Sequence, residues 1–249
     1  MSGKLSVEAI HGTTLRYYSH FCGIDLTERK TGLHFVCTLE RDEVLKGFGC
    51  KYTLFLLIRD DLAVISCAPK HRDFLDSIRA LDIRAILSAA EKRYALTKKR
   101  LFVFGGETVR EYGATRILTP ADYPFYEAFF REMHPNADPS GWLHEYFSYK
   151  SKGGLFSGCF RDSRLVSVCD APDMPYMEGE IQHTGIATLE SERRKGYAKY
   201  AAALSAHHLI ESGICPQWEC DAENIASIRL AQSVGYEEYA LAYILEEGH

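Results

Sequence analysis

Residues 181–206 read I-Q-H-T-G-I-A-T-L-E-S-E-R-R-K-G-Y-A-K-Y-A-A-A-L-S-A, and the fold turns on this stretch. It has the look of a strand, a short turn and an alanine-rich helix. The turn holds Arg193, Arg194 and Lys195, followed by Gly196 and, two residues on, the small Ala198. A glycine in the first turn of a helix costs roughly 1 kcal/mol of propensity against alanine. Its presence points to something that approaches the backbone there. A helix start carries free N–H groups and the positive end of the macrodipole, which together suit a phosphate. The cations in front of it add to the same field. The reading is an anion site, with a pyrophosphate as the fitting occupant.

The spacing R-x-x-G-x-A is neither the P-loop, which ends in Gly-Lys-Ser/Thr, nor the three-glycine dinucleotide fingerprint. Beyond the helix come P-Q-W-E-C at 216–220 and N-I-A-S-I-R-L-A-Q-S-V-G-Y at 224–236. Loop, apolar strand, Asn-x-x-Ser helix and closing Gly-Tyr together resemble the GNAT superfamily of acyl-CoA N-acyltransferases. The narrower run P-x-W-x-C…N-x-x-S-x-x-L-A-x-x-x-G-Y is similar to that of a bacterial branch of it. The resemblance extends from about Thr115 to the end of the chain.

That resemblance implies an α/β (α+β) fold, with a mixed, mostly antiparallel sheet flanked by helices. It implies acetyl-CoA as cosubstrate and no metal. Backbone groups of Ile186, Ala187 and Thr188 would polarise the thioester and hold the pantetheine arm. Arg193, Arg194, Lys195, Gly196, Tyr197 and Ala198 would receive the pyrophosphate, and Asn224 and Ser227 would complete the cofactor site. The implied reaction is transfer of an acetyl group to a primary amine by direct attack in a ternary complex. The acceptor is a small-molecule or a protein amine, and the sequence names neither.

Several of these residues also have plainer explanations. Asn224 at a helix start caps free N–H groups whatever else it does. Arg193-Arg194-Lys195 also reads as a solvated charge run of an interaction protein, and residues 186–188 as an ordinary internal strand.

Acetyl transfer to an amine calls for a proton acceptor, an oxyanion donor and a proton for the leaving thiolate. His183, with Glu180 behind it, stands where many relatives carry the base. Strand alternation places the two on opposite faces, so they do not share one cavity. An imidazole accepts a proton near neutrality without tuning, but a hydrogen-bonded structural histidine explains His183 equally well. Many relatives carry a tyrosine acid seven residues after the helix asparagine; here that position is Ala231. Nearby replacements are Tyr236, Tyr197 and Cys220, none of which matches the motif by position; Tyr236 is the candidate acid. The departure leaves a second reading: a non-catalytic acyl-CoA-binding sensor or adaptor.

Ahead of residue 114 the chain carries no motif. Strand-like runs at 33–39, 52–58, 62–68 and 101–104, with helical spacing from His71 to about Leu96, describe an N-terminal α+β domain over 1–113. Its order would also suit a degenerate GNAT-like half. The acetyltransferase domain is then 114–249, opening with a strand, a Thr119 cap with Pro120 at the first helical position, and an amphipathic helix.

The 249 residues are 46% hydrophobic and 25% charged, with a formal net charge of −5. That mild acidity argues against nucleic acid as a partner. No apolar run reaches the roughly 18 residues of a membrane span, and the first residues lack the apolar core of a signal peptide, so a cytoplasmic location is expected. The 8 cysteines form no C-x-x-C pair and read as reduced, buried thiols. His207-His208 lacks a third ligand at metal spacing. The oligomeric state is left open.

Overall fold

The computed structural model describes residues 3–106 and 111–248. It begins with a helix that the sequence patterns did not announce, α1 (Val7–Cys22). Ser6 caps it by accepting from the Ala9 N–H, and Gly23 ends it at φ 67°, the left-handed conformation open to glycine. Strands β1 (Gly32–Cys37), β2 (Lys51–Arg59) and β3 (Leu62–Cys67) follow, with the β2–β3 turn at Asp60, φ 48°. The helix expected over His71–Leu96 is two helices, α2 (Arg72–Ile78) and α3 (Ile83–Arg93), because Asp82 caps a new start by accepting from the Ala85 N–H. Then come β4 (Thr97–Phe104), β5 (Thr115–Ile117), α4 (Tyr123–Met133) and α5 (Leu143–Lys152).

The cap expected at Thr119 takes the form of a capping box. Asp122 accepts from the Thr119 N–H and also binds Arg116, and the Arg116 guanidinium leads the causes that hold its carboxyl down at about 2. Next are β6 (Ser157–Arg161), β7 (Arg164–Asp170), β8 (Ile181–His183), β9 (Gly185–Thr188), α6 (Tyr197–Glu211), β10 (Cys215–Asp221), α7 (Ile225–Val234) and β11 (Tyr236–Glu247).

Among the described residues the strands form two sheets, ordered β1-β3-β2-β11-β4-β10-β8 and β5-β6-β7-β9. Pairing is antiparallel except at β1–β3 and β8–β10, which matches the mostly antiparallel expectation. The expected boundary at 113/114 does not separate two sheets. β11 pairs with β2 on one side and with β4 on the other, and β4 in turn pairs with β10. The N-terminal segment therefore supplies four strands to the same sheet as the C-terminal ones.

The helices cover both faces of the larger sheet. Tyr17, Tyr18 and Phe21 of α1 share one core cluster with Phe55 and Leu57 of β2. On the opposite face, Phe74, Leu75, Ile78 and Ile86 of α2 and α3 pack on Leu54, Leu56 and Ile65. A third cluster joins α4 and α5 to the smaller sheet through Tyr126, Phe129, Phe147, Phe156 and Val168. All 8 cysteines are free thiols, six of them buried and Cys37 and Cys50 half-buried.

Candidate active site

The site forms where the chain changes sheet. β8 runs parallel to β10, pairing Ile181 with Cys215 and His183 with Gln217. Thr184 makes the last bond to that strand, its N–H donating to the Gln217 carbonyl at 3.1 Å. From Gly185 the chain pairs instead with β7, through Gly185–Asp170, Ile186–Cys169, Ala187–Val168 and Thr188–Ser167. β9 and β10 thus diverge from a common point. Among the described residues, no strand pairs with the edge of β9 away from β7, which keeps backbone N–H and C=O groups without a ladder partner.

A cleft of about 710 Å³ fills the gap, lined by Thr184 to Thr188, Arg193 and Ala198 on one wall and by Trp218 to Asp221 with Asn224, Ala226, Ser227 and Leu230 on the other. Lys99 and Met133 also border it. Ile186, Ala187 and Thr188, assigned from sequence, all stand in this wall. Ser167 steadies the strand, its hydroxyl donating to the Ala187 carbonyl at 3.1 Å and lying 2.8 Å from the Thr188 hydroxyl.

The loop ahead of α6 takes an unusual backbone path. Arg194 has φ 65° and Gly196, the α6 N-cap, φ 88°. Left-handed turns of this kind orient successive N–H groups into an anion-binding concavity. Gly196 is required for its φ rather than for space, since the nearest atom to an added Cβ is 3.9 Å away. The cations divide their work. Arg193 faces the cleft and its Nε donates to the Thr188 carbonyl at 3.3 Å. Lys195 instead binds Glu192 at 2.9 Å, and Arg161 binds the same carboxylate at 3.1 Å. Lys195 and Arg161 together hold the Glu192 pKa down. Arg194 is exposed, and Tyr197 packs into the cluster under α4 and α5 rather than into the cleft.

On the far wall, the Asn224 side chain accepts from the Ser227 N–H at 3.1 Å, so it caps α7 as its position foretold. Ser227 Oγ accepts from Trp218 Nε1 at 3.1 Å and fixes the indole that walls the cleft. α7 turns Ile228, Ala231 and Val234 into the core. Ala231 is therefore fully buried, and its neighbour Leu230 lines the cleft.

The three residues assigned to proton transfer do not meet in the cleft. His183 is buried on the α1 side, its Nε2 3.1 Å from the Tyr17 hydroxyl and its ring edge-on to Phe48. Burial pushes its pKa down, which favours the neutral imidazole. Glu180 lies outside, paired with Arg16 at 2.8 Å on the surface. Tyr236 is buried against Phe104 and Trp218, and among the described residues its hydroxyl has no partner within hydrogen-bond geometry. Burial drives that phenol up, a rise moderated by the Thr184 hydroxyl beside it.

Glu219 was missed. It stands in the cleft wall with its side chain 17% exposed, 3.9 Å from Lys99 Nζ. The signal was available as the one carboxylate inside the apolar strand P-Q-W-E-C. Lys99 could not have been found this way, because it reaches the site through the β4–β10 pairing. Among the described residues, no group of three or more His, Cys, Asp or Glu side chains is placed to hold a metal ion.

A family model described as GNAT acetyltransferase matches residues 87–243, which takes in the loop, both walls of the cleft and most of β11. Over 117 residues the chain is 32% identical to the "Uncharacterized N-acetyltransferase YdfB" of Bacillus subtilis (strain 168). That match covers 44% of this chain and 43% of the relative, so less than half the length of either is aligned. Among solved structures, an acetyltransferase from the GNAT family of Colwellia psychrerythraea superposes with a TM-score of 0.50 at 13% identity, covering 67% of this chain and 63% of that one, a likeness of fold. A GNAT-family protein of Novosphingobium aromaticivorans has a TM-score of 0.46 at 19% identity, covering 62% and 66%. With its family match spanning more than half of its residues, this chain belongs to the GNAT acetyltransferase family.

Proposed function

We propose that the protein transfers an acetyl group from acetyl-CoA to a primary amine by direct attack within a ternary complex. The observation that carries this reading is the divergence of β9 from β10 at Thr184, which leaves a cleft running to the left-handed loop at the start of α6. The residues fit the cosubstrate. Gly196, Tyr197 and Ala198 offer the free N–H groups of the helix start to the pyrophosphate, with Arg193 alongside. The cleft edge of β9, Ile186 to Thr188, aligns the pantetheine amide and polarises the thioester carbonyl, as fixed donors do for developing negative charge. Trp218 and Leu230 form the apolar part of the opposite wall. The leaving thiol has an ordinary pKa near that of free cysteine, about 8.5. Its thiolate departs tolerably without a dedicated acid, which suits a site with Ala231 turned away.

Release of free thiol from acetyl-CoA, followed over a panel of primary amines, tests the reading. Turnover with at least one amine, lost in Gly196→Val, is the expected outcome. A β-branched residue at φ 88° would distort the loop. A protein that binds acetyl-CoA but releases no thiol with any amine supports the second reading, an acyl-CoA-binding sensor, which the burial of Ala231 and Tyr236 favours. A protein that binds no CoA contradicts both.

A further inference from the structure

Cys37 ends β1 and Cys67 ends β3, with β2 between them in the chain. The two strands run parallel and pair these residues directly. Register partners on parallel strands project to the same face of a sheet. The packing agrees: Cys67 belongs to the core cluster under α2 and α3, and Cys37 packs against that cluster from its border. The Thr38 N–H donates to the Cys67 carbonyl at 3.0 Å, so the ladder stays closed to the ends of both strands and holds the pair in register. Among the described residues, no other strand pairing sets cysteine opposite cysteine.

Neighbouring strands lie about 4.7–4.9 Å apart. A disulfide joins Cα atoms about 4.4–6.8 Å apart and Cβ atoms about 3.5–4.5 Å apart. Two cysteines in direct register therefore meet the Cα requirement as they stand. A closure of roughly a few tenths of an ångström brings the Cβ atoms into range. The thiols already lie within hydrogen-bonding reach of each other.

The two sulfurs differ in access. β1 is the outermost strand of the larger sheet, and Cys37 is half-buried. Cys67 is fully buried, and burial pushes its thiol up to about 12, with Cys37 adding to the rise and Arg72 opposing it. A thiol held protonated is a poor first nucleophile, so the chemistry begins at Cys37. Cys50, the other half-buried thiol, lies outside the strands. Neither Cys37 nor Cys67 lines the cleft.

We propose that Cys37 and Cys67 form a dithiol site, which a peroxide oxidises to a disulfide across β1 and β3 and which a trivalent arsenical captures in its reduced form. In the first step the Cys37 thiolate sulfur attacks one peroxide oxygen and the O–O bond breaks. Cys37 becomes a sulfenic acid, its sulfur oxidised by two electrons, and the second oxygen leaves as hydroxide. The Cys67 sulfur then displaces the sulfenic oxygen. The S–S bond forms, the S–O bond breaks, and the Cys67 proton departs with that oxygen as water. Cys67 thus needs no prior ionisation. The closure that the bridge demands of paired strands makes it readily reducible, the property of a reversible rather than a structural disulfide.

The test exposes the full, reduced chain to hydrogen peroxide, then alkylates, digests and weighs it. Wild type should lose the mass of two hydrogen atoms and two alkylatable thiols, yield one linked peptide pair joining Cys37 to Cys67, and recover both thiols with dithiothreitol. Cys37→Ser and Cys67→Ser should each abolish the linked pair, and Cys50→Ser should keep it. In Cys67→Ser the sulfenic acid should persist on Cys37 and be labelled by dimedone. Phenylarsine oxide should bind one per reduced chain, and neither to the peroxide-treated protein nor to either serine variant of the pair. A bridge joining other cysteines, or wild type whose Cys37 is labelled by dimedone or carried to sulfinic acid with no bridge to Cys67, overturns the assignment. So does wild type that keeps all its thiols under peroxide, or a Cys37→Ser protein that still binds the arsenical at that stoichiometry.

Discussion

Thr184 binds the Gln217 carbonyl twice, through its N–H at 3.1 Å and its hydroxyl at 3.2 Å. These two bonds end the β8–β10 pairing and set where β9 departs. Thr184→Val removes the hydroxyl and keeps the backbone bond and the shape. The expected loss of stability is about 0.5–1.5 kcal/mol, the usual worth of one such bond, together with a rise in KM for acetyl-CoA as the hinge loosens. Thermal melts and steady-state kinetics check this. A variant unchanged in both would remove Thr184 from the account of the cleft.

His183 is predicted to stabilise the fold rather than to move protons. Its pKa is lowered by burial, so the unfolded chain binds the proton that the folded chain refuses. The stability it contributes is complete above the unfolded value of about 6.5 and is lost as pH falls through the lower folded value. His71 and His208 are lowered in the same direction, so the effect is shared. His183→Gln should flatten part of the fall in melting temperature below about pH 6.5 and change the acetylation rate by no more than a few-fold. A hundred-fold loss of rate with an unaltered melting profile would restore His183 as a base.

At position 231 the prediction is overpacking. Ala231 is fully buried on the core face of α7, and Ala231→Tyr forces a ring into close-packed space. Such insertions cost about 1–3 kcal/mol or more. Leu230→Tyr instead sets the phenol in the cleft wall and should leave the melting temperature nearly unchanged. Differential scanning calorimetry of the two variants separates these cases, and a stable Ala231→Tyr protein with enhanced turnover would contradict the placement.

The parts of this molecule that were legible in its sequence are the local ones. Arg193-x-x-Gly196-x-Ala198 was readable because a turn and a helix start need particular residues at fixed offsets. The Thr119 and Asn224 caps were readable for the same reason. α1 was not: Gly12, Thr13, Thr14, Tyr17 and Tyr18 are poor helix formers, held helical by the burial of Tyr17, Tyr18 and Phe21 against the sheet. β11 was recognised only at its opening Gly-Tyr, since a register shift between Glu238 and Ala240 interrupts its alternation. Its place between β2 and β4 depends on pairings across most of the chain, which no window of sequence contains. Glu219 was within reach and was passed over in favour of His183, whose side chain the β8–β10 pairing directs to the α1 side.

The central claim is that one cleft, from the β9 edge to the α6 start, receives the acyl donor. Titrating CoA into isotopically labelled protein and following the backbone amide signals tests it most directly. Saturation should shift the amides of Ile186 to Thr188 and Arg194 to Ala198, with lesser changes at Trp218 and Ser227. Shifts confined to other parts of the chain, with these amides unmoved at saturating CoA, would contradict the account.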